Sequence, residues 1–266
     1  MIDLHCHILH GLDDGAKNLG EATEMAKMAA KDGIKKIVAT PHLFRGDFTP
    51  QDLSIIEKKI HELQNVLEKE SVDVEIIKGA EVHITHNLID EIRTNRRHLV
   101  LDSSSYMILE FPAGHVFPGV KNLLFEMLSE GIRPIIAHPE RNYVFMRSPE
   151  VLYDLIKAGA LSQANSGSFT GLYGKRVEEA AFRFMELNLT HFVASDAHNP
   201  RASSLWLSQA LENLENRMGN GAASALVNDN PGAILEDREL MHCLEPVDPK
   251  KSEKSFKIKM PRLFGS

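Results

Sequence analysis

Met1-Ile2-Asp3-Leu4-His5-Cys6-His7 runs from an apolar opening straight into two histidines, before any helical period has begun. Alternate side chains of a strand share one face, so both imidazoles can point at the same metal ion while Cys6 turns to the opposite face and the core. Two histidines so spaced are by themselves more often surface or packing residues than ligands. Five other short apolar runs reverse those odds. They close on His42 in Thr40-Pro41-His42, Glu81 in Gly79-Ala80-Glu81, Glu110 in Leu109-Glu110-Phe111, His138 in Ala137-His138-Pro139, and Asp196 with His198 in Ser195-Asp196-Ala197-His198.

Outward from that stretch, β-rich runs alternate with amphipathic segments almost to the end, the pattern of parallel strands joined by crossover helices. About seven strands are expected, at Ile2–His5, Lys36–Thr40, Val74–Lys78, Tyr106–Phe111, Arg133–Ala137, Leu161–Asn165 and His191–Ser195. Helices are punctuated by Asn18 and Gly33, by Thr49-Pro50 ahead of Leu53, Ile56, Ile60, Leu63 and Leu67, by Lys121–Glu130 before Gly131, and by Ser148-Pro149 with Gly159. Closing such a series gives a barrel, and parallel barrels carry their chemistry on the loops after the carboxyl ends of the strands. The candidate ligands follow strands one, two, three, four, five and seven, whereas strand six ends in the polar Asn165-Ser166-Gly167-Ser168. His61 and Glu62 fall within a helix and receive no role.

A chain of 266 residues with 43% hydrophobic content suits one α/β domain. The net charge of −7 argues against a protein that coats nucleic-acid phosphates with Lys and Arg. Cys6 and Cys243 make no disulfide framework, the first residues begin a strand and not a signal peptide, and no apolar run approaches the ~20 residues of a membrane span. A cytoplasmic protein is the expectation. The domain is expected over residues 1–244. Residues 245–266, with Lys250, Lys251, Lys254, Lys257, Lys259 and Arg262 against Glu245, Asp248 and Glu253, read as a basic, mobile tail.

Imidazoles and carboxylates without cysteine pairs suit Mn, Fe, Zn or Co. Gly11-Leu12-Asp13-Asp14-Gly15 reads as a turn delivering Asp14 to the metals, with Asp13 supporting from behind. Asp14, Glu81, Glu110 and Asp196 with five histidines are too many donors for one ion and imply two or three ions. Three divalent ions against four carboxylates leave a surplus of positive charge that favours a phosphate dianion. Such sites lower the pKa of a bound water to about 7 and clamp phosphoryl oxygens during in-line displacement. Arg141 and Arg201 follow the ligand motifs and are the candidate catalytic contacts to phosphate. A cysteine phosphatase loop is excluded, since Leu12 and Pro249 stand where an arginine six residues past Cys6 or Cys243 would be needed. The phosphate-binding glycine loop and the dinucleotide fingerprint are absent as well.

Together with Asp229-Asn230-Pro231, these motifs resemble the polymerase and histidinol phosphatase (PHP) superfamily. Within it, they resemble the bacterial manganese-dependent protein-tyrosine phosphatases of capsule and exopolysaccharide clusters (CpsB/CapC-like). The resemblance implies a distorted (β/α)7 TIM-like barrel with a trinuclear site. It assigns His5, His7, Glu81 and Asp196 to one metal, Glu81, Glu110 and His138 to a second, and Asp14, His42 and His198 to a third. Manganese is the implied metal, with Fe, Zn, Co or Mg as substitutes. Glu110 points to the tyrosine phosphatases, because related histidinol phosphatases and nucleases tend to carry His there. The implied substrate is phosphotyrosine in a protein, notably the tail of a membrane-associated bacterial tyrosine kinase controlling polysaccharide export.

Three other readings compete. A PHP-type small-molecule phosphatase acting on histidinol phosphate, or a phosphodiesterase, would use the same donors. An amidohydrolase-like enzyme also starts with His-x-His but needs a bridging lysine and leaves Glu110 without a task. A non-catalytic partner with a structural metal would find so complete a donor set, with arginines beside it, surplus to need.

Overall fold

The computed structural model describes residues 1–48, 51–200, 207–218, 222–240 and 242–251. The chain opens with β1 (Ile2–Cys6), α1 (Leu19–Lys31), β2 (Lys36–Ala39), β3 (His42–Leu43) and α2 (Ile55–Lys69). It continues with β4 (Glu75–Lys78), β5 (Glu81–His83), α3 (Leu88–Leu99), β6 (Tyr106–Glu110), α4 (Val120–Ser129) and β7 (Arg133–Ala137). A 3-10 turn (Pro139–Arg141), α5 (Tyr143–Arg147), α6 (Pro149–Lys157), β8 (Leu161–Asn165), α7 (Ser166–Phe169), α8 (Lys175–Glu186) and β9 (Phe192–Ala194) follow. Helices α9 (Leu207–Met218), α10 (Ala222–Ala225) and α11 (Asp229–Leu235) complete it. No described helix is long and apolar enough to cross a membrane.

All strand pairs are parallel, in the two orders β1-β2-β4 and β3-β5-β6-β7-β8-β9. The pairing is therefore two sheets and not one continuous ring. Two of the expected strands, Lys36–Thr40 and Val74–Lys78, are each followed after a break by a further short strand, β3 and β5. Pro41 has no N–H to extend the ladder past Thr40, which separates β2 from β3. Between β4 and β5 lies Gly79, where a Cβ would meet Val38 Cγ1 at 2.5 Å. Each break lets the chain step sideways, so that His42 and Glu81 pair in register at the start of the second sheet.

Helix boundaries follow their punctuation. Asn18 Oδ1 accepts from the Glu21 N–H at 3.0 Å to open α1, and Gly33, at φ +90°, ends it. Gly131 and Gly159, also left-handed, follow α4 and α6. Helix α2 begins at Ile55, later than expected; Thr49 and Pro50 lie outside the described residues.

One apolar cluster gathers Leu4, Val38, Ile108, Ile135 and Phe192, from five strands, and a larger one fills the space between strands and helices. Burying each such side chain contributes about 1.5–3 kcal/mol. Asp3, fully buried, ties β1 to the end of β9 by accepting from the Ser195 N–H at 2.9 Å and the Ser195 hydroxyl at 2.5 Å. Asn230 Nδ2, from the Asp229-Asn230-Pro231 motif, donates to the His191 carbonyl at 2.7 Å and anchors α11 beside that strand. Beyond Leu244, the Val247 N–H donates to the Leu187 carbonyl at 2.8 Å, and Glu245 pairs with Lys157 at 3.3 Å. Residues 252–266, with Lys254, Lys257, Lys259 and Arg262, lie outside the described residues.

Candidate metal centre

Parallel strands deliver the site because their carboxyl ends share one edge of the sheets. His5 lies in β1 and His7 just beyond it, His42 opens β3, Glu81 opens β5, Glu110 ends β6, His138 follows β7, and Asp196 and His198 follow β9. Cys6 is buried with its Sγ toward the Ala197 carbonyl, away from the histidines on either side. His138 and Asp196 hold left-handed backbone at φ 31° and 52°. Conformations of this kind cost on the order of 1–3 kcal/mol in non-glycine residues and gather at functional sites.

Three donor groups, each with ligand atoms within 4.8 Å of one another, lie at this edge: His5, His7, Glu81 and Asp196; His42, Glu81 and Glu110; and His7, Asp14, His42 and His198. Glu81, His7 and His42 are shared between groups. The arrangement differs from the expected sets in two respects: His7 joins the third group, and His42 takes the place expected of His138 in the second. His138 Nε2 reaches Glu81 Oε1 at 3.0 Å. Asp14, half exposed on its loop, lies 3.4 Å from both His42 Nε2 and His198 Nε2.

These donors fit cations better than they fit one another. Glu81 Oε2 is 3.4 Å from His5 Nε2, 3.3 Å from His7 Nε2 and 2.8 Å from His42 Nδ1, yet Glu81 Oε2 and His42 Nδ1 are buried without a hydrogen bond. His5 Nε2 and His7 Nε2 stand 3.2 Å apart. Their Nδ1 atoms are occupied elsewhere, His5 donating to Gln163 Oε1 at 3.0 Å and His7 to Asp13 Oδ2 at 2.7 Å. Two lone pairs aimed at each other in a buried site repel unless a cation lies between them. Protonation shows the same demand. Burial alone would depress His5, but the Glu81 and Asp196 carboxylates raise it to about 9. Burial opposes ionisation of Asp196 too, and the charges of His5 and His138 with a hydrogen bond from His7 nonetheless hold it far below the usual carboxylate range. A raised imidazole among depressed carboxylates is a site seeking positive charge.

Around the donors lies a ring of polar support. Asp13 accepts from the Gly15 and His42 N–H groups as well as from His7, fixing the turn that presents Asp14. A Cβ on Gly15 would fall 2.1 Å from the His7 carbonyl oxygen, so only glycine allows this approach. Asn165 Nδ2 donates to Asp196 Oδ2 at 2.7 Å, and Asn165 Oδ1 accepts from Gln163 Nε2 at 2.7 Å. The polar end of the sixth expected strand thus grips ligands without being one.

Arg141 donates to Asp196 Oδ2 at 2.7 Å and lies 4.6 Å from the centre of the Tyr173 ring. Its partner is Asp196, whereas the adjacent Glu140 is turned inward to accept from the Asn165 N–H and the Ser168 hydroxyl. Arg201 lies outside the described residues. Two residues were missed in the sequence. His83 Nδ1 meets Glu110 Oε2 at 3.0 Å, and Arg45 contacts His42 and lies 3.5 Å from Glu110 Oε1. Both had a signal: His83 repeats the alternate spacing from Glu81, and Arg45 follows His42 by the same three positions that separate Arg141 from His138.

Comparison with known proteins bears on the same edge-of-sheet site. The family model for capsular polysaccharide synthesis, CpsB/CapC, matches residues 1–236. Tyrosine-protein phosphatase YwqE of Bacillus subtilis is 35% identical over 256 residues, 96% of this chain and 99% of its own length. Tyrosine-protein phosphatase CpsB of Streptococcus agalactiae serotype V is 30% identical over 89% of this chain and 99% of its own. A crystal structure from work on YwqE of B. subtilis and CpsB of Streptococcus pneumoniae, described as unique metal-dependent tyrosine phosphatases, matches with a TM-score of 0.88 and 34% identity. That match covers 93% of this chain and 99% of the other. Matched across nearly its whole length in sequence and backbone, this chain belongs to the CpsB/CapC family of capsular polysaccharide synthesis.

Proposed function

We propose that the chain is a metal-dependent protein-tyrosine phosphatase of the cytoplasm. Its substrate is phosphotyrosine on a bacterial tyrosine kinase that governs capsular or exopolysaccharide synthesis. The observation that carries this reading is the trio of interlocking donor groups with Arg141 bonded at its rim. The names of YwqE and CpsB, both tyrosine-protein phosphatases, support it.

Three divalent ions, manganese by preference, would be held by His5, His7, Glu81 and Asp196; by Glu81, Glu110 and His138, with His42 beside them; and by Asp14, His42 and His198. The catalytic unit is residues 1–244, a (β/α)7 barrel whose second and third strands are stepped. In support, the Asp196 N–H donates to the His5 carbonyl at 2.8 Å and the His7 N–H to the Ala197 carbonyl at 2.9 Å, joining the first strand to the last.

Divalent ions bound there would supply Lewis acidity for activating water near neutral pH and for offsetting the phosphoryl charge. The protein's part is positioning. Asp13 and Gln163 fix the tautomers of His7 and His5, so that both present Nε2. Arg141, held by Asp196 and Tyr173, binds phosphoryl oxygens with its free donors, Arg45 adds positive charge at the same mouth, and Arg201 is the second arginine assigned to the phosphate. Tyrosine, with a pKa of about 10, leaves as a comparatively stable phenoxide, so proton donation to the leaving oxygen is less demanding than for an alkyl phosphate.

The test compares kcat/KM for a phosphotyrosine peptide, histidinol phosphate and a dinucleotide ester in manganese. The peptide is expected to lead by about 100-fold or more. A lead for either small molecule would overturn the assignment.

A further inference from the structure

Beside the mouth lies a second cationic feature. Helices α5 and α8 enclose a groove of about 320 Å³ whose lining includes Tyr143, Met146, Arg147, Arg176, Glu179 and Arg183. Both helices pack against the Pro139–Arg141 turn that carries Arg141. Tyr143 stands two positions after Arg141, and Tyr173, the ring against Arg141, stands two before the start of α8.

Three guanidinium groups share this groove with one carboxylate, that of Glu179, which itself lies 3.8 Å from Lys175. Among the described residues, Arg147 and Arg176 have neither a hydrogen bond nor an ion pair through their side chains, whereas every other described arginine has a partner. Both are exposed. In a chain of net charge −7 carrying 37 acidic residues, two unpaired arginines in one groove are an unmatched positive patch. Tyr143 beside them is 61% exposed, offering an aromatic face at the lip.

We infer that this groove is a docking subsite for a second anionic group on the polypeptide whose phosphotyrosine occupies the metal centre. The inference rests on the phosphatase reading and extends it to substrate choice. Guanidinium groups bind paired oxygens of a carboxylate or a phosphate bidentately, so the matching chemistry is a carboxylate or a second phosphoryl group. An extended peptide advances about 3.3 Å per residue, which brings a group a few residues from the scissile phosphate within reach of the groove. Preference for acidic flanking sequence is the consequence.

The experiment uses the full-length metal-loaded protein and the double variant Arg147→Ala with Arg176→Ala. Four substrates are compared: p-nitrophenyl phosphate, and phosphotyrosine peptides with a neutral flank, a glutamate-rich flank or a second phosphotyrosine. The variant is expected to raise KM about tenfold for the two anionic peptides, with kcat held and the other two substrates unaffected. Whichever anionic peptide has the lower wild-type KM identifies the preferred group. Charge reversal, Arg147→Glu with Arg176→Glu, should shift preference to a lysine-rich flank. Equal wild-type KM for neutral and anionic peptides, or a variant that weakens all four substrates alike, overturns the subsite. Failure of the wild type to hydrolyse any of the four would instead strike the phosphatase reading.

Discussion

Gln163 Oε1 accepts a hydrogen bond from His5 Nδ1 at 3.0 Å across 158 positions of sequence, and so dictates that His5 presents Nε2 to its neighbours. Strand β8 supplies no metal donor, yet through Gln163 and Asn165 it orients His5 and Asp196 on two other strands. Gln163→Leu is expected to weaken metal affinity about 10–100-fold, measured by competition with a chelator. Gln163→Glu keeps the acceptor and should retain most of the affinity. Unchanged affinity in the leucine variant would remove Gln163 from the positioning role.

Arg141 is anchored by Asp196 and by the Tyr173 ring, which fixes its guanidinium at the mouth without committing all of its donors. Arg141→Ala is expected to lower kcat/KM on a phosphotyrosine peptide about 100-fold while bound metal stays constant. Arg141→Lys should recover little, because a point charge cannot reproduce the planar fork. Equal activity of the alanine variant and wild type would assign Arg141 to structure alone.

Cys6 is fully buried, and burial together with the nearby Asp3 charge pushes its thiol well up. A neutral, enclosed thiol attacks nothing. Cys6→Ser should keep turnover within about twofold at the cost of about 1–2 kcal/mol of stability, read from steady-state kinetics and urea unfolding. A collapse of activity at normal metal content would contradict this.

His191 gives the fold a pH dependence separate from the site. Burial lowers its pKa from 6.5 to about 4, while Nδ1 accepts from the Ser162 N–H at 3.1 Å. The unfolded chain therefore binds the extra proton first. The stability tied to neutral His191 is complete above pH 6.5, falls as pH drops toward 4 and then levels off, a loss of about 3 kcal/mol at most. His191→Asn, which offers a neutral acceptor near Nδ1, should flatten this part of the unfolding curve between pH 7 and 4. An identical slope in the variant would show that His191 does not govern it.

Much of this architecture is legible in sequence because alternation along strands and their shared carboxyl edge are local rules. His5 with His7, and the motifs ending at His42, Glu81, Glu110, His138, Asp196 and His198, all reach that edge. The breaks at Pro41 and Gly79 are less legible, because they depend on how one strand steps past its neighbour, seen in the tight approach of Gly79 to Val38. The sharing of His7 and His42 between donor groups depends on convergence in three dimensions, which spacing does not encode. Gln163 carries no local signal, since its partner His5 is on another strand. Arg45 and His83 repeated spacings already used for Arg141 and His7, and were legible but passed over.

The most direct test follows metal content and phosphotyrosine-peptide turnover together on the same samples, through chelation and manganese reloading, in wild type and Glu81→Gln. Glu81 belongs to two of the three donor groups, so its loss should cost more than one ion. Wild-type turnover should vanish with the metal and return on reloading, while Glu81→Gln holds fewer ions and keeps about 1% of turnover or less. Full turnover from metal-stripped protein, or from Glu81→Gln, would contradict the account.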